Sequence, residues 1–506
     1  MSSIKEDLNL TNHIVKDKKL TSPFLYISAI IVIIGYVWFI TYGYWTIWNP
    51  STYFYDHLAT AFSHGGLALD DKVNPELLNL KNPYSPFERK GIKFPLDFSL
   101  YQGKYYLYFG PVPALLLVIP KLLGIGTVGD HILVFSFICL IFIFESMIIL
   151  EIHKYFFQEF PNWLLAFCLL FVGLVSPIAW MLTEARVYEA AITAGQAFLL
   201  AGFYFNFTAI LKNPISLWRL FIGGILWAFA FGSRLTLILP ISLMSLTIFA
   251  FILKNAYPWK LDSKILIQIM SFSLPILIGG FFLGWYNYAR FGSVFETGFY
   301  YQLTTKNLQK YVDVLFSPLY ILPNSFEYLV AKPKFIREFP FLLPIRGRGL
   351  LHFPFITVPD VYYTRATTGI IYSTPFVIFA GLTLIPFVLQ NMKKGEQTNL
   401  LNWIITVLFG SVLAGFATVA SFFWVEARYF TDFSPSLVLL SIIGFFLGYR
   451  YLNRWSALQT GYLVLGISLI LLSIINSNLL VLGIRTATYQ DWNPVLWNQL
   501  YSFFTR

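Results

Sequence analysis

YFGPVPALLLVIPKLLG, residues Tyr108 to Gly124, decides how this chain threads through a membrane. If the apolar stretch 105–124 crosses, everything after it is inverted. It carries Pro111, Pro113 and Pro120, and Lys121 near its end. Each proline removes a backbone donor and strains a continuous helix, and the uninterrupted apolar run is short. These features predict a re-entrant or juxtamembrane helix in an outer loop, not a span.

The chain around it is built for lipid. Its 506 residues are 57% hydrophobic and 12% charged, where a soluble chain carries about a quarter charged residues. Eleven apolar runs have spanning length: 24–46, 128–150, 162–181, 188–211, 217–233, 235–254, 265–289, 368–390, 401–423, 430–449 and 457–483. The expected fold is an all-α polytopic membrane protein with about 11 transmembrane helices plus the proline-rich helix. The net charge of +10 sits largely in short loops and does not point to nucleic acid. Cys139 and Cys168 fall inside apolar runs and imply no disulfide framework. The polar, mixed-charge opening is too long and too acidic for the basic head of a signal peptide, and no repeat emerges.

Counting basic residues orients the chain. With residues 1–23 cytoplasmic and 105–124 not crossing, the inner loops hold Lys154, Lys212, Arg219, Lys254, Lys260, Lys264, Lys393, Lys394, Arg450 and Arg454. The short outer loops then hold only Arg186, Arg234 and Arg428, and the opposite threading reverses the bias. Two long polar segments, 47–104 and 290–367, fall outside, as does the tail 484–506, whose Trp492 and Trp497 suit an interfacial anchor.

Charged groups at the outer span ends are then predicted to converge. They are Asp56, Asp97, Glu184, Arg186, Glu189, Arg234, Asn287 with Arg290, Glu426, Arg428 and Asp432. Singly, each reads as an anchor or half of an ion pair. Together, three arginines placed against the positive-inside bias read as a site. Guanidinium forks suit phosphate. A carboxylate suits proton abstraction from a hydroxyl. The aromatic outer stretches, in a chain 19% aromatic, suit sugar faces or the headgroup level.

The segments YDHLATAFSHGGLAL, YFGPVPALLLVIPKLLG, SPIAWMLTEARVYEAA, GSRLTLILP, YNYARFGSVFETGFYYQLT and ARYFTDFSPSLVLL resemble those of bacterial GT-C-fold glycosyltransferases. That group includes relatives of the dolichyl-phosphate-mannose protein mannosyltransferases and the aminoarabinose transferase. The resemblance covers about residues 24 to 450. It implies a GT-C-like module over 24–483 in a bacterial plasma membrane. It implies inverting transfer of a sugar from a polyprenyl-phosphate donor to a hydroxyl of a lipid, polysaccharide or protein acceptor at the extracytoplasmic face. Asp56 would be the catalytic base, and Arg234, Arg290 and Arg428 would bind the donor phosphate. Asp97, Glu184, Arg186, Asn287 and Asp432 would support the site. The family's first-loop acid is often paired with a second, but here His57 follows Asp56. Metal dependence is therefore open: a divalent cation is possible, with His57 and His64 as weak candidate ligands. The alternative is a non-catalytic binder or carrier of lipid-linked sugars, for which polar groups running through the bilayer would be expected.

Overall fold

The computed structural model describes residues 23–48, 52–254, 262–385 and 396–505. Residues 1–22 of the N-terminal segment, with Lys260, Lys393 and Lys394, lie outside the described residues. The protein is an all-helical polytopic membrane protein. Among the described residues nine helices are long and apolar enough to cross a membrane. They are Pro23–Ile40, Asp130–Phe156, Asn162–Thr183, Val187–Ile210, Leu235–Lys254, Ser263–Phe291, Thr398–Ala420, Ser434–Arg454 and Ser456–Ile484.

Two of the eleven expected spans are not among these nine. The run 217–233 is a 17-residue helix, Leu217–Ser233, packed between Val187–Ile210 and Ser263–Phe291. The run 368–390 is not one α-helix in its described part. A turn at Ile370–Ser373 gives way to a 3₁₀ helix, Pro375–Leu384. Proline disfavours helical geometry at the residue before it and has no N–H to continue a ladder. Thr374 accordingly leaves the helical region, at φ −140 and ψ 65.

The proline-rich stretch forms the helix Val112–Leu122, only 11 residues. At 1.5 Å per residue that is about 16 Å, half a hydrocarbon core. Pro113 sits in its first turn, where backbone N–H groups lack intrahelical partners in any case. One side packs on the Phe54–Ser63 helix, while Ile119, Leu122 and Leu123 are left exposed.

The centre is Val187–Ile210, which is buried almost throughout. Its small residues explain the closeness of its neighbours. A Cβ on Gly202 would lie 2.2 Å from the Trp227 ring, and Trp227 Nε1 donates to Leu199 O at 3.1 Å.

The long loops fold onto one end of this bundle. Strands Ser99–Tyr101 and Lys104–Tyr106 form a hairpin. Its two turn residues, Gln102 and Gly103, have φ of 48 and 73, the positive-φ pair that matches strand twist. The hairpin also pairs with the later loop: Asp97 N–H donates to Leu303 O at 3.1 Å, and Leu303 N–H to Phe98 O at 2.8 Å. Tyr363–Thr364 runs parallel to Trp424–Val425, which fixes the second loop to the segment entering the Ser434 helix. The tail forms helices Thr486–Trp492 and Pro494–Phe504. Trp497 is buried against Phe339 and Tyr489, so it is a packing residue and not the interfacial anchor expected; Trp492 keeps an exposed face.

Candidate functional site

Contacts among the helix ends show which of them meet. Tyr42 OH donates to Thr183 O, Val187 N–H to Thr52 Oγ1 at 3.0 Å, and Arg290 Nη1 to Leu107 O at 2.7 Å. At the opposite end, Arg450 holds Glu159 and the Phe156 carbonyl. A cavity of about 310 Å³ opens at the first end. Its floor is set by a close backbone approach. A Cβ on Gly110 would fall 2.1 Å from Gly232 O, so only glycine lets the Tyr108–Val112 turn rest on the end of the Leu217–Ser233 helix.

That helix end delivers Arg234. Its Nε and Nη2 make a fork to the Asp432 oxygens at 3.1 and 2.7 Å. Arg428 lies one turn before Asp432 on the 3₁₀ helix Ala427–Asp432, with Glu189 at 3.2 Å and Glu426 at 2.5 Å. Its guanidinium lies 4.3 Å from the centre of the Tyr188 ring. Both arginines are largely buried, and Arg428 Nε has no acceptor among the described residues. Tyr108, Phe109, Tyr188, Phe299, Phe422 and Tyr429 supply aromatic walls. The arrangement combines two desolvated guanidiniums, held by carboxylates that an incoming anion would have to share, with broad apolar faces.

Asp97 stands behind one wall. Tyr188 OH, on the cavity lining, donates to Asp97 Oδ2. Asp97 has φ 67, a left-handed conformation aspartate tolerates better than most residues. Burial raises its carboxyl pKa above the ordinary 3.8, opposed by hydrogen bonds from Tyr188 and Thr304 and by Arg428.

Other anticipated residues lie elsewhere. Asp56 is buried, its Oδ1 2.6 Å from Lys121 Nζ and accepting the Val128 N–H at 2.8 Å. It clips the first-loop helix to the proline-rich helix and does not line the cavity. Arg290 is also off the lining. It donates to Leu107 O, Tyr286 O and Asn287 Oδ1 and stacks on Tyr286 at 3.7 Å. Asn287 donates to Val294 O. Glu184 gathers Arg485, Arg186 at 3.4 Å and Arg365 at 3.9 Å. His57 pairs with Asp71 and His64 with Asp70. Among the described residues no group of three or more His, Cys, Asp or Glu side chains is placed to hold a metal.

Several contributors escaped the sequence reading. Tyr188 and Tyr429 had only a general aromatic signal. Asp130 accepts from Thr52 Oγ1 at 2.5 Å and from the Phe54 and Tyr55 N–H groups, closing the first-loop helix from a distant strand of chain. Arg365 and Arg485 reach the acids only through long-range folding.

No protein family and no curated protein matches the sequence. Among solved structures, the chain is similar to the Archaeoglobus fulgidus oligosaccharyltransferase in its apo form, at 14% identity and a TM-score of 0.44, over 97% of this chain and 60% of that one. It is similar to the same organism's archaeal oligosaccharyltransferase AglB in complex with an inhibitory peptide and a dolichol-phosphate, at 10% identity and a TM-score of 0.44, over 96% of this chain and 60% of that one. The chain thus spans about 60% of the length of these proteins.

Proposed function

We propose that the protein is a GT-C-like glycosyltransferase that moves a sugar from a polyprenyl-phosphate donor to an acceptor hydroxyl in this cavity, at the extracytoplasmic face of a bacterial plasma membrane. The supporting observation is the pairing, in one cavity at the span ends, of the largely buried Arg234 and Arg428 with aromatic walls. Donor phosphate would draw Arg234 from Asp432 and Arg428 from Glu426, and the guanidiniums would neutralise the charge that develops on the leaving phosphate. Because phosphate leaves without an acid's help, one base is enough. The hydroxyl oxygen bonds to the anomeric carbon, the carbon–phosphate oxygen bond breaks, and the proton passes to a carboxylate.

Two carboxylates compete for that role. Asp56 is the one the family resemblance favours. Asp97 is favoured by its hydrogen bond to the cavity-lining Tyr188, whereas Asp56 is engaged by Lys121 and the Val128 N–H. We assign the base to Asp97 acting through Tyr188, whose hydroxyl would take the acceptor's proton as it passes its own to Asp97, and give Asp56 a structural part. Arg290 is assigned to holding Leu107 and not to the donor.

The test is turnover of polyprenyl-phosphate-linked sugars by the full chain in lipid vesicles. Transfer should fall about 10²–10⁴-fold in Asp97→Asn, the usual contribution of a general base, with lipid-phosphate binding retained. Full transfer by Asp97→Asn together with loss in a folded Asp56→Asn would return the role to Asp56. A carrier would keep its lipid-sugar translocation in both variants.

A further inference from the structure

A second cavity, about 370 Å³, lies behind the segment that carries Arg428. Glu426 forms its near wall and also holds Arg428 of the first cavity at 2.5 Å, so one ion pair separates the two spaces. Three arginines line it, Arg346, Arg365 and Arg485, against two glutamates, Glu184 and Glu426. One positive charge is left over, and the glutamates are themselves shared. Glu184 serves Arg186, Arg365 and Arg485, while Glu426 serves Arg365 at 2.8 Å and Arg428.

Arg346 makes no ion pair among the described residues. It stacks 4.3 Å over Tyr363, whose ring stacks on Trp424. Two further donors have no acceptor there: Arg485 Nε and Trp180 Nε1, both on residues that line the cavity. Buried donors without acceptors are costly, and their grouping around surplus positive charge marks a place for an anion. Arg346, Arg485 Nε and Trp180 Nε1 together offer more unpaired N–H groups than two oxygens readily accept. A planar carboxylate offers two oxygens, whereas a tetrahedral phosphate monoester offers three and a second negative charge.

We propose that this cavity binds a phosphate monoester. The assignment of that group to the sugar acceptor, held across the Glu426–Arg428 wall from the donor, rests on the transferase reading; the binding site itself does not.

The test reads binding alone. The full chain is placed in phosphatidylcholine nanodiscs with phosphatidic acid as probe, and bound probe is counted by native mass spectrometry. In parallel, inorganic phosphate is titrated into thermal melts. Retained phosphatidic acid points to a lipid-borne monoester, and stabilisation by inorganic phosphate alone to a soluble one; either supports the site, and neither response overturns it. Arg346→Gln breaks no ion pair and should weaken the responding probe about tenfold, the worth of one charge-assisted hydrogen bond. Arg346→Lys should recover part of this, and the loss on Arg346→Gln should persist in an Arg234→Gln background. Equal binding by wild type and Arg346→Gln overturns the proposal, as does loss on Arg234→Gln alone. Oleate held as tightly as phosphatidic acid would overturn phosphate as the recognised group.

Discussion

At the scale of single residues, Asp97 and Asp56 should behave differently when neutralised. The Asp97 pKa is raised by burial. If it is the base, the acid limb of the pH–rate profile lies above the ordinary aspartate value of 3.8, and activity falls as pH drops through that limb. The same shift has a sign in stability. The protonated form is the one burial favours, so Asp97 contributes stability at pH below 3.8 that is lost as pH rises through its folded value. Asp97→Asn should flatten the limb without lowering the melting temperature at neutral pH. Asp56→Asn strips Lys121 of a buried partner at 2.6 Å. The variant should lose about 3 kcal/mol of stability, read as a shifted thermal midpoint. Both acids are visible in the sequence as charges near span ends. What no local pattern reveals is that Lys121 is Asp56's partner, or that Tyr188 connects Asp97 to a cavity.

Secondary elements owe their placement here to small side chains. Gly202→Ala would drive a methyl into Trp227, and Gly110→Ala would drive one into the Gly232 carbonyl. The first should lower the yield of folded protein, seen as aggregation on size exclusion, because overpacking a central helix costs about 1–3 kcal/mol. The second should lower folded yield at least as much, since the atoms it meets are backbone and cannot turn aside. Element boundaries were legible where apolar runs were long and uninterrupted, as in Asp130–Phe156 and Ser456–Ile484. They failed at Thr374–Pro375, where hydropathy alone reads a span and backbone chemistry winds a 3₁₀ helix. The proline-rich helix is short, as expected, with Pro113 in its first turn and Pro120 in its last.

Across the whole molecule, the two long loops and the tail close over one end of the bundle, so cysteine replacements there should share one aspect of the membrane. In a background lacking Cys139 and Cys168, cysteines at Phe87, Phe295 and Leu351, all strongly exposed, should react with an impermeant thiol reagent from the same side. A cysteine at Trp455, at the other end of the Ser456–Ile484 helix, should react only from the opposite side. Mixed labelling would break the threading. That threading is the expectation from composition and the lysine–arginine count. They carry nothing of how residues 290–367 fold, because Arg346 and Arg365 gain meaning only once Tyr363–Thr364 is laid beside Trp424–Val425. The partition made by Glu426 has a thermodynamic consequence. An anion that recruits Arg428 on one side releases this carboxylate to Arg365 on the other. Each occupant therefore competes with its counterpart's hold, and linkage requires the two penalties to be equal. Both can be bound at once, each less tightly, so a spent lipid phosphate would leave more readily while the second space stays filled.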